Sequence, residues 1–137
     1  MSLFLRVWPV VAWLSFGLWF LGLNLASSLP STALPPVFHF PHADKFLHFV
    51  AFFAGASLLY LALRASPGKF FRNLPHALCA FALVGSFGIL DEFRQLLTPS
   101  RSGADPLDML ANLIGAFAGA FATHYLYGRL VRLLPRS

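Results

Sequence analysis

The five acidic residues of this sequence, Asp44, Asp91, Glu92, Asp105 and Asp108, all stand at the edges of long apolar runs. Three have a polar partner four residues on: Asp44 with His48, Asp91 with Gln95, and Asp108 with Asn112. On a helix that spacing puts both side chains on one face. Glu92 and Gln95 make a further pair at a spacing of three. Carboxylates beside an imidazole are suited to proton transfer, because packing and charged neighbours tune their pKa values. In that reading Glu92 or Asp91 is the base and His48 the acid. Lys45 and Arg101 would hold a phosphate or carboxylate, the arginine through its planar fork. Gln95 and Asn112 would hydrogen-bond sugar or peptide groups, and Asp44 and Asp108 complete the binding wall.

Each residue also has a plainer role open to it. Asp105 before Pro106 reads as a helix N-cap followed by proline at the first helical position. Asp108 then sits in the first turn, where an acid suits the helix dipole. Asp44 can cap its own helix, Lys45 can snorkel to lipid headgroups, and His48 can be a satisfied packing residue. Asp91 and Glu92 are harder to dismiss. They close an apolar run, where the dipole disfavours negative charge, so they need a function or a pairing with Arg94 or Arg101. His39, His42, His76 and His124 read as interfacial, and Asn24 is open between interhelical contact and pocket lining. Asp44, His48, Asp91, Glu92 and Asp108 are chemically able to ligate a divalent ion. No spacing of the H-E-x-x-H kind supports it, so neither a metal nor a cofactor is expected. Cys79 is the sole cysteine, which excludes an intrachain disulfide and leaves it a small packing residue.

Elements of a particular kind must hold these residues. Charged residues make up 11% of the chain and apolar ones 58%, against about 25% and about 45–50% in a soluble domain. A body of 137 residues cannot hide that much apolar surface, since small folds bury the least. The surrounding medium is therefore lipid. A helix crossing it needs about 20 residues, and four stretches qualify: about residues 5–25, 45–63, 76–97 and 106–127. Pro9 is tolerable in an opening turn. The expectation is a single all-α domain over residues 1–137, a polytopic bundle of four transmembrane helices. Small residues Ala26, Ser27 and Ser28 would suit signal cleavage, but the run before them is longer than a usual signal core, and an uncleaved helix is predicted.

The connections are read similarly. Pro30, Pro35, Pro36 and Pro41 forbid a helix, and their segment is predicted to lie along the membrane interface as an extended cap. Residues 64–73 make a basic turn and residues 98–105 a polar loop. Gly115 and Gly119 form a G-x-x-x-G pair, which predicts close helix packing within the chain rather than dimerisation. With four crossings, Arg6, Arg64, Lys69, Arg72, Arg129, Arg132 and Arg136 share one side, against Lys45, Arg94 and Arg101 on the other. An excess of Lys and Arg marks the cytoplasmic side, so both termini are expected there and all five acids outside. The net charge of +5 forms no stripe or aromatic-interleaved patch, which argues against nucleic acid.

Taken in order, D-K-x-x-H from Asp44, D-E-x-x-Q from Asp91, P-x-R from Pro99 and D-x-x-x-N-x-x-G from Asp108 resemble the VanZ-like family. The combination spans about half the chain and is distinctive as a set, while each piece alone is weak. The resemblance implies a small four-helix membrane protein of the bacterial cell envelope, in the cytoplasmic membrane. The founding member is associated with resistance to the glycopeptide teicoplanin, so the resemblance supplies a setting and not a mechanism. The small residues Ser102, Gly103 and Ala104 make the loop after Arg101 flexible and leave its aim open. Three functions follow. The favoured one is an outward-facing polar pocket that binds or processes an envelope lipid or lipid-linked precursor. The alternative is a structural or assembly subunit of a larger membrane complex, for which sixteen phenylalanines offer a broad apolar exterior. An ion-coupled transporter ranks last, since no acid lies near the bilayer midplane and no inverted repeat is visible.

Overall fold

A chain surrounded by hydrocarbon must satisfy its backbone hydrogen bonds internally, and helices do so segment by segment. The computed structural model describes residues 3–30, 42–99, 101 and 103–133, with side chains from Val7 onward. Over those residues it is helical without strands: α1 (Leu3–Ser28), α2 (Ala43–Ala65), α3 (Lys69–Asn73), α4 (His76–Gln95) and α5 (Pro106–Leu133). All but α3 are long and apolar enough to cross a membrane. The cap predicted for the Pro-rich segment lies outside the described residues, as do His39, Arg136 and the side chain of Arg6.

The helix ends differ from the sequence expectation in instructive ways. The fourth long helix runs six residues past the expected end, to Leu133. Its 28 residues amount to about 42 Å, against about 30 Å of hydrocarbon. It is thus longer than a perpendicular crossing needs, and in its last turns Arg129 hydrogen-bonds the Tyr125 hydroxyl and Arg132 the Gly128 carbonyl. Helix α4 stops at Gln95, short of Leu97, because the next amides bond three residues back and not four: Leu97 N–H to Arg94 O and Thr98 N–H to Gln95 O. Within the basic turn, Lys69–Asn73 form a helical turn of five residues, too short for hydrophobic periodicity to announce. It follows Gly68, whose φ of 107° suits a residue without Cβ.

Contacts fix the topology. Phe52 meets Trp19 of α1 edge-on, and Trp13 bonds Ser66 just beyond α2, so α1 and α2 are antiparallel. Tyr60 of α2 faces His76 at the start of α4, while Phe81 of α4 faces Phe117 of α5. Helices α2 and α5 run parallel, with Lys45 against Asp108 at one end and Tyr60 against His124 at the other. The chain is thus an up-down-up-down bundle in which α1 and α4 point the same way.

The core is built by α2, α4 and α5 from Phe52, Ala56, Leu59, Tyr60, Val84, Ala116 and their neighbours. Its tightest seam is α2 on α5. A Cβ at Gly115 or Gly119 would run into the carbonyl oxygens of Phe49 and Phe53, so the G-x-x-x-G pair packs within the chain, as expected. Helix α1 lies at the edge. Of its described side chains only Ala12 and Ser27 are buried, and Trp19 docks it by bonding the Ala51 carbonyl. Leu14, Leu18, Leu83, Leu90, Ile114 and Phe117 point outward, an apolar exterior that fits lipid and not water.

Candidate functional site

The alternating topology carries all five acids to one end of the bundle, where the C-termini of α1 and α4 meet the N-termini of α2 and α5. Arg64, Lys69, Arg72, Arg129 and Arg132 stand at the other end. Within the acidic end two networks form.

The first joins α4 to α1. Asp91, 2% exposed, accepts hydrogen bonds at Oδ1 from Ser27 Oγ and Arg94, both at 2.7 Å, and at Oδ2 from Gln95 at 3.0 Å. Arg94 also reaches Ser27 Oγ and the Asn24 side-chain oxygen. Of the two arginine partners the sequence allowed Asp91, Arg94 is the one in place. Its carboxylate is fully engaged.

The second joins α2, α4 and α5. His48 Nδ1 lies 2.9 Å from Asn112 Oδ1, and Asn112 donates its other amide atom to Gly88 O at 3.2 Å. That second bond orients the amide, so the hydrogen-bond network assigns a proton to His48 Nδ1. Around the ring lie Glu92 Oε1, 3.6 Å from Nδ1, and Asp108 Oδ2, 3.9 Å from Nε2. Glu92 is buried, and its Oε2 makes no hydrogen bond of ordinary geometry among the described residues. Gln95 links the networks, donating to Asp91 and, at 3.4 Å, to Glu92.

Lys45 closes this second network from the rim. Its ammonium lies 2.7 Å from Asp44, 2.8 Å from Asp105 and 2.9 Å from Asp108 Oδ1. The last is an ion pair whose angles do not make it a hydrogen bond. Lys45 therefore does more than snorkel: it ties the start of α2 to the start of α5. The same ammonium, together with the Leu107 amide, holds the Asp105 carboxyl below the usual carboxylate range. Asp105 is also the N-cap read from the sequence, its Oδ1 accepting from Leu107 N–H at 2.8 Å. Asp44 is not the N-cap of α2: that position is His42, in a left-handed conformation and without a side-chain cap bond. Asp44 is instead the most exposed acid of the group, its side chain 59% accessible.

Arg101 departs most from expectation. Its donors go to backbone carbonyls at the end of α1, Ala26 O at 2.8 Å and Leu29 O at 3.0 Å, and not to carboxylates. A helix C-terminus leaves carbonyls short of intrahelical donors; Ala26 O takes the Leu29 N–H as well, and Arg101 stitches the α4–α5 loop to this end of α1. Nor is that loop loose where it is described. Ala104 N–H bonds Glu92 O at 3.0 Å, and a Cβ at Gly103 would strike the Leu96 amide.

Between α1, α2 and α4 opens a cleft of about 300 Å³, whose polar wall is Ser27, Asp44, His48, Asp91, Gln95 and Arg101 and whose floor includes Leu23, Ala51 and Phe52. Glu92, Asp108 and Asn112 stand behind His48, outside the cleft. The nine residues expected at one site therefore divide between the cleft, an inner cluster and, for Lys45, the rim, with His48 on the wall between. Further along the same three helices lies an apolar cleft of about 340 Å³ lined by Trp13, Phe16, Trp19, Leu59, Leu83, Phe87 and their neighbours.

Ser27 is the residue sequence reading missed, having been weighed only as a small residue after an apolar run. Its signal was there: Asn24 and Ser27 are three apart, a polar pair on one face at the end of α1. At the opposite end His124, expected to be interfacial, pairs with the hydroxyl of buried Tyr60 at 3.1 Å. Compared with protein-family models, with curated proteins and with solved structures, the chain matches none.

Proposed function

We propose that this chain is a VanZ-like protein of the bacterial cytoplasmic membrane, with both termini in the cytoplasm, whose outward polar cleft binds an envelope lipid or lipid-linked precursor. The observation that carries this reading is the order of surfaces along one seam. A polar cleft sits at the helix ends, and an aromatic cleft follows it along α1, α2 and α4. An amphiphile presents its headgroup and acyl chain in that order. Asp44 and His48 face the headgroup position with Gln95 and Arg101, and the arginine-rich opposite end supports the orientation.

If bonds are broken, Glu92 is better placed than Asp91, whose oxygens are taken by Ser27, Arg94 and Gln95. His48 stands between the carboxylates, its Nδ1 toward Asn112 and its Nε2 toward Asp108. The alternative, a structural subunit, draws support from the Asp91 network, which locks α1 to α4 without any ligand.

The test is protection against teicoplanin in a susceptible bacterial host, with lipids extracted from the purified protein. Wild type should protect and carry a bound envelope lipid. Glu92→Gln and Gln95→Leu should accumulate to wild-type level yet lose both properties. Full protection by both variants defeats the reading, and stoichiometric co-purification of a membrane partner, with variants lost through instability, would transfer support to the structural one.

A further inference from the structure

Behind the cleft, a nitrogen of His48 and one oxygen each of Glu92 and Asp108 lie within 4.8 Å of one another. The cluster is incompletely satisfied. Glu92 is 1% exposed, yet its Oε2 makes no hydrogen bond of ordinary geometry, and the carboxylate is met by Gln95 at 3.4 Å, the His48 ring at 3.6 Å and the Asp105 backbone amide. A buried carboxylate with one oxygen unpaired is costly inside a protein, and more so within a membrane. Lys45 does not meet the need, since Asp44, Asp105 and Asp108 already share its ammonium.

We propose that His48, Glu92 and Asp108 bind a divalent first-row metal ion, of the class that one imidazole and two carboxylates suit, Zn²⁺ or Mn²⁺. No stretch of sequence holds this set; three helices contribute one ligand each. The surroundings are those of a prepared site. A metal-bound histidine donates its other ring N–H to an oxygen that fixes tautomer and orientation. Here Asn112 Oδ1 takes Nδ1–H, and Gly88 O holds Asn112 in turn. The remaining nitrogen, Nε2, faces Asp108 Oδ2 at 3.9 Å. Lys45 holds the other oxygen of Asp108, orienting that carboxylate toward the ring. Bonds of about 2.0–2.2 Å to the ion separate neighbouring ligand atoms by roughly 3–4 Å, so Asp108 already stands at ligand distance from Nε2, while Glu92, 3.6 Å from Nδ1, must turn its carboxylate toward Nε2. The cleft beside His48 leaves a path for water to a free coordination position. The cation site stands whether or not that cleft takes a lipid.

Tag-free full-length protein, stripped with chelator in detergent, is titrated with Zn²⁺ alone and with Mn²⁺ alone. One ion per chain is expected for at least one of them. His48→Ala and Glu92→Gln should abolish binding, Asn112→Ala should weaken it about 10–100-fold as loss of a second partner does, and His124→Ala, at the far end, should leave it unchanged. X-ray absorption at the bound ion's edge should show scattering from a single imidazole, a readout that needs no variant to fold. Absence of binding by wild type, equal binding by His48→Ala and Glu92→Gln, or a bound ion without imidazole would each overturn the proposal.

Discussion

Asp91 and Glu92 are neighbours in sequence, and the helix separates them by about 100°, since it makes one turn in 3.6 residues. One therefore turns to α1 and meets Ser27 and Arg94, while the other turns to α2 and α5 and meets His48. Two acids that looked interchangeable thus have different work. Removing Arg94 leaves Asp91 buried with only neutral donors, and breaking such a pair costs about 3–5 kcal/mol. Because Arg94 is itself partly exposed, Arg94→Ala should fall at the low end, read by thermal unfolding in detergent. Asp91→Asn should cost less, because Ser27 and Gln95 can still bond it. Asp105 makes a pH prediction. Its carboxyl is held below the ordinary value of 3.8, so its tie to Lys45 is fully present above that value and lost as pH falls through the lowered one. Asp105→Asn should destabilise at neutral pH and make no difference once pH lies below both values, which unfolding at a series of pH values would reveal.

The parallel pair α2 and α5 forms the backbone of the molecule, and two glycines set its spacing. Gly119 faces the Phe53 carbonyl, and Ser57 Oγ bonds Gly119 O at 3.2 Å across the same contact. Gly119→Ala should destabilise by about 1–3 kcal/mol, the usual cost of overpacking. Gly17, on the exposed side of α1, has nothing within 4 Å of where a Cβ would stand, so Gly17→Ala should stabilise by up to about 1 kcal/mol through helix propensity. Opposite signs in the two unfolding measurements would establish the seam; a neutral Gly119→Ala would argue that α2 and α5 stand further apart. Helix α1, with few buried side chains, is held by Trp19 and the Ser27–Asp91–Arg94 knot.

Over the whole molecule, charge is segregated: carboxylates at one end, most of the described arginines at the other. Under the positive-inside rule, which counts Lys and Arg in short loops, a reporter active only in the cytoplasm should work when fused after Ser137. A cysteine placed at Asp44, in a Cys79→Ala background, should react with a membrane-impermeant reagent applied outside. Labelling only after lysis would invert the orientation and take the proposed outward cleft with it.

The helical class and the four long apolar helices were legible in the sequence, because lipid leaves a chain few options: runs of about 20 apolar residues become helices. The gathering of acids at one end followed from counting crossings, and Gly115 and Gly119 announced their seam. What each acid touches was not legible. Ser27 and Asp91 are 64 residues apart, and Arg101 was aimed by proximity at carboxylates when backbone carbonyls at the end of α1 were its partners. Helix period settles which face a side chain occupies but not which neighbour stands opposite. Only the packing of α1, α4 and α5 around α2 decided that Asp91 would be satisfied and Glu92 left with an open oxygen.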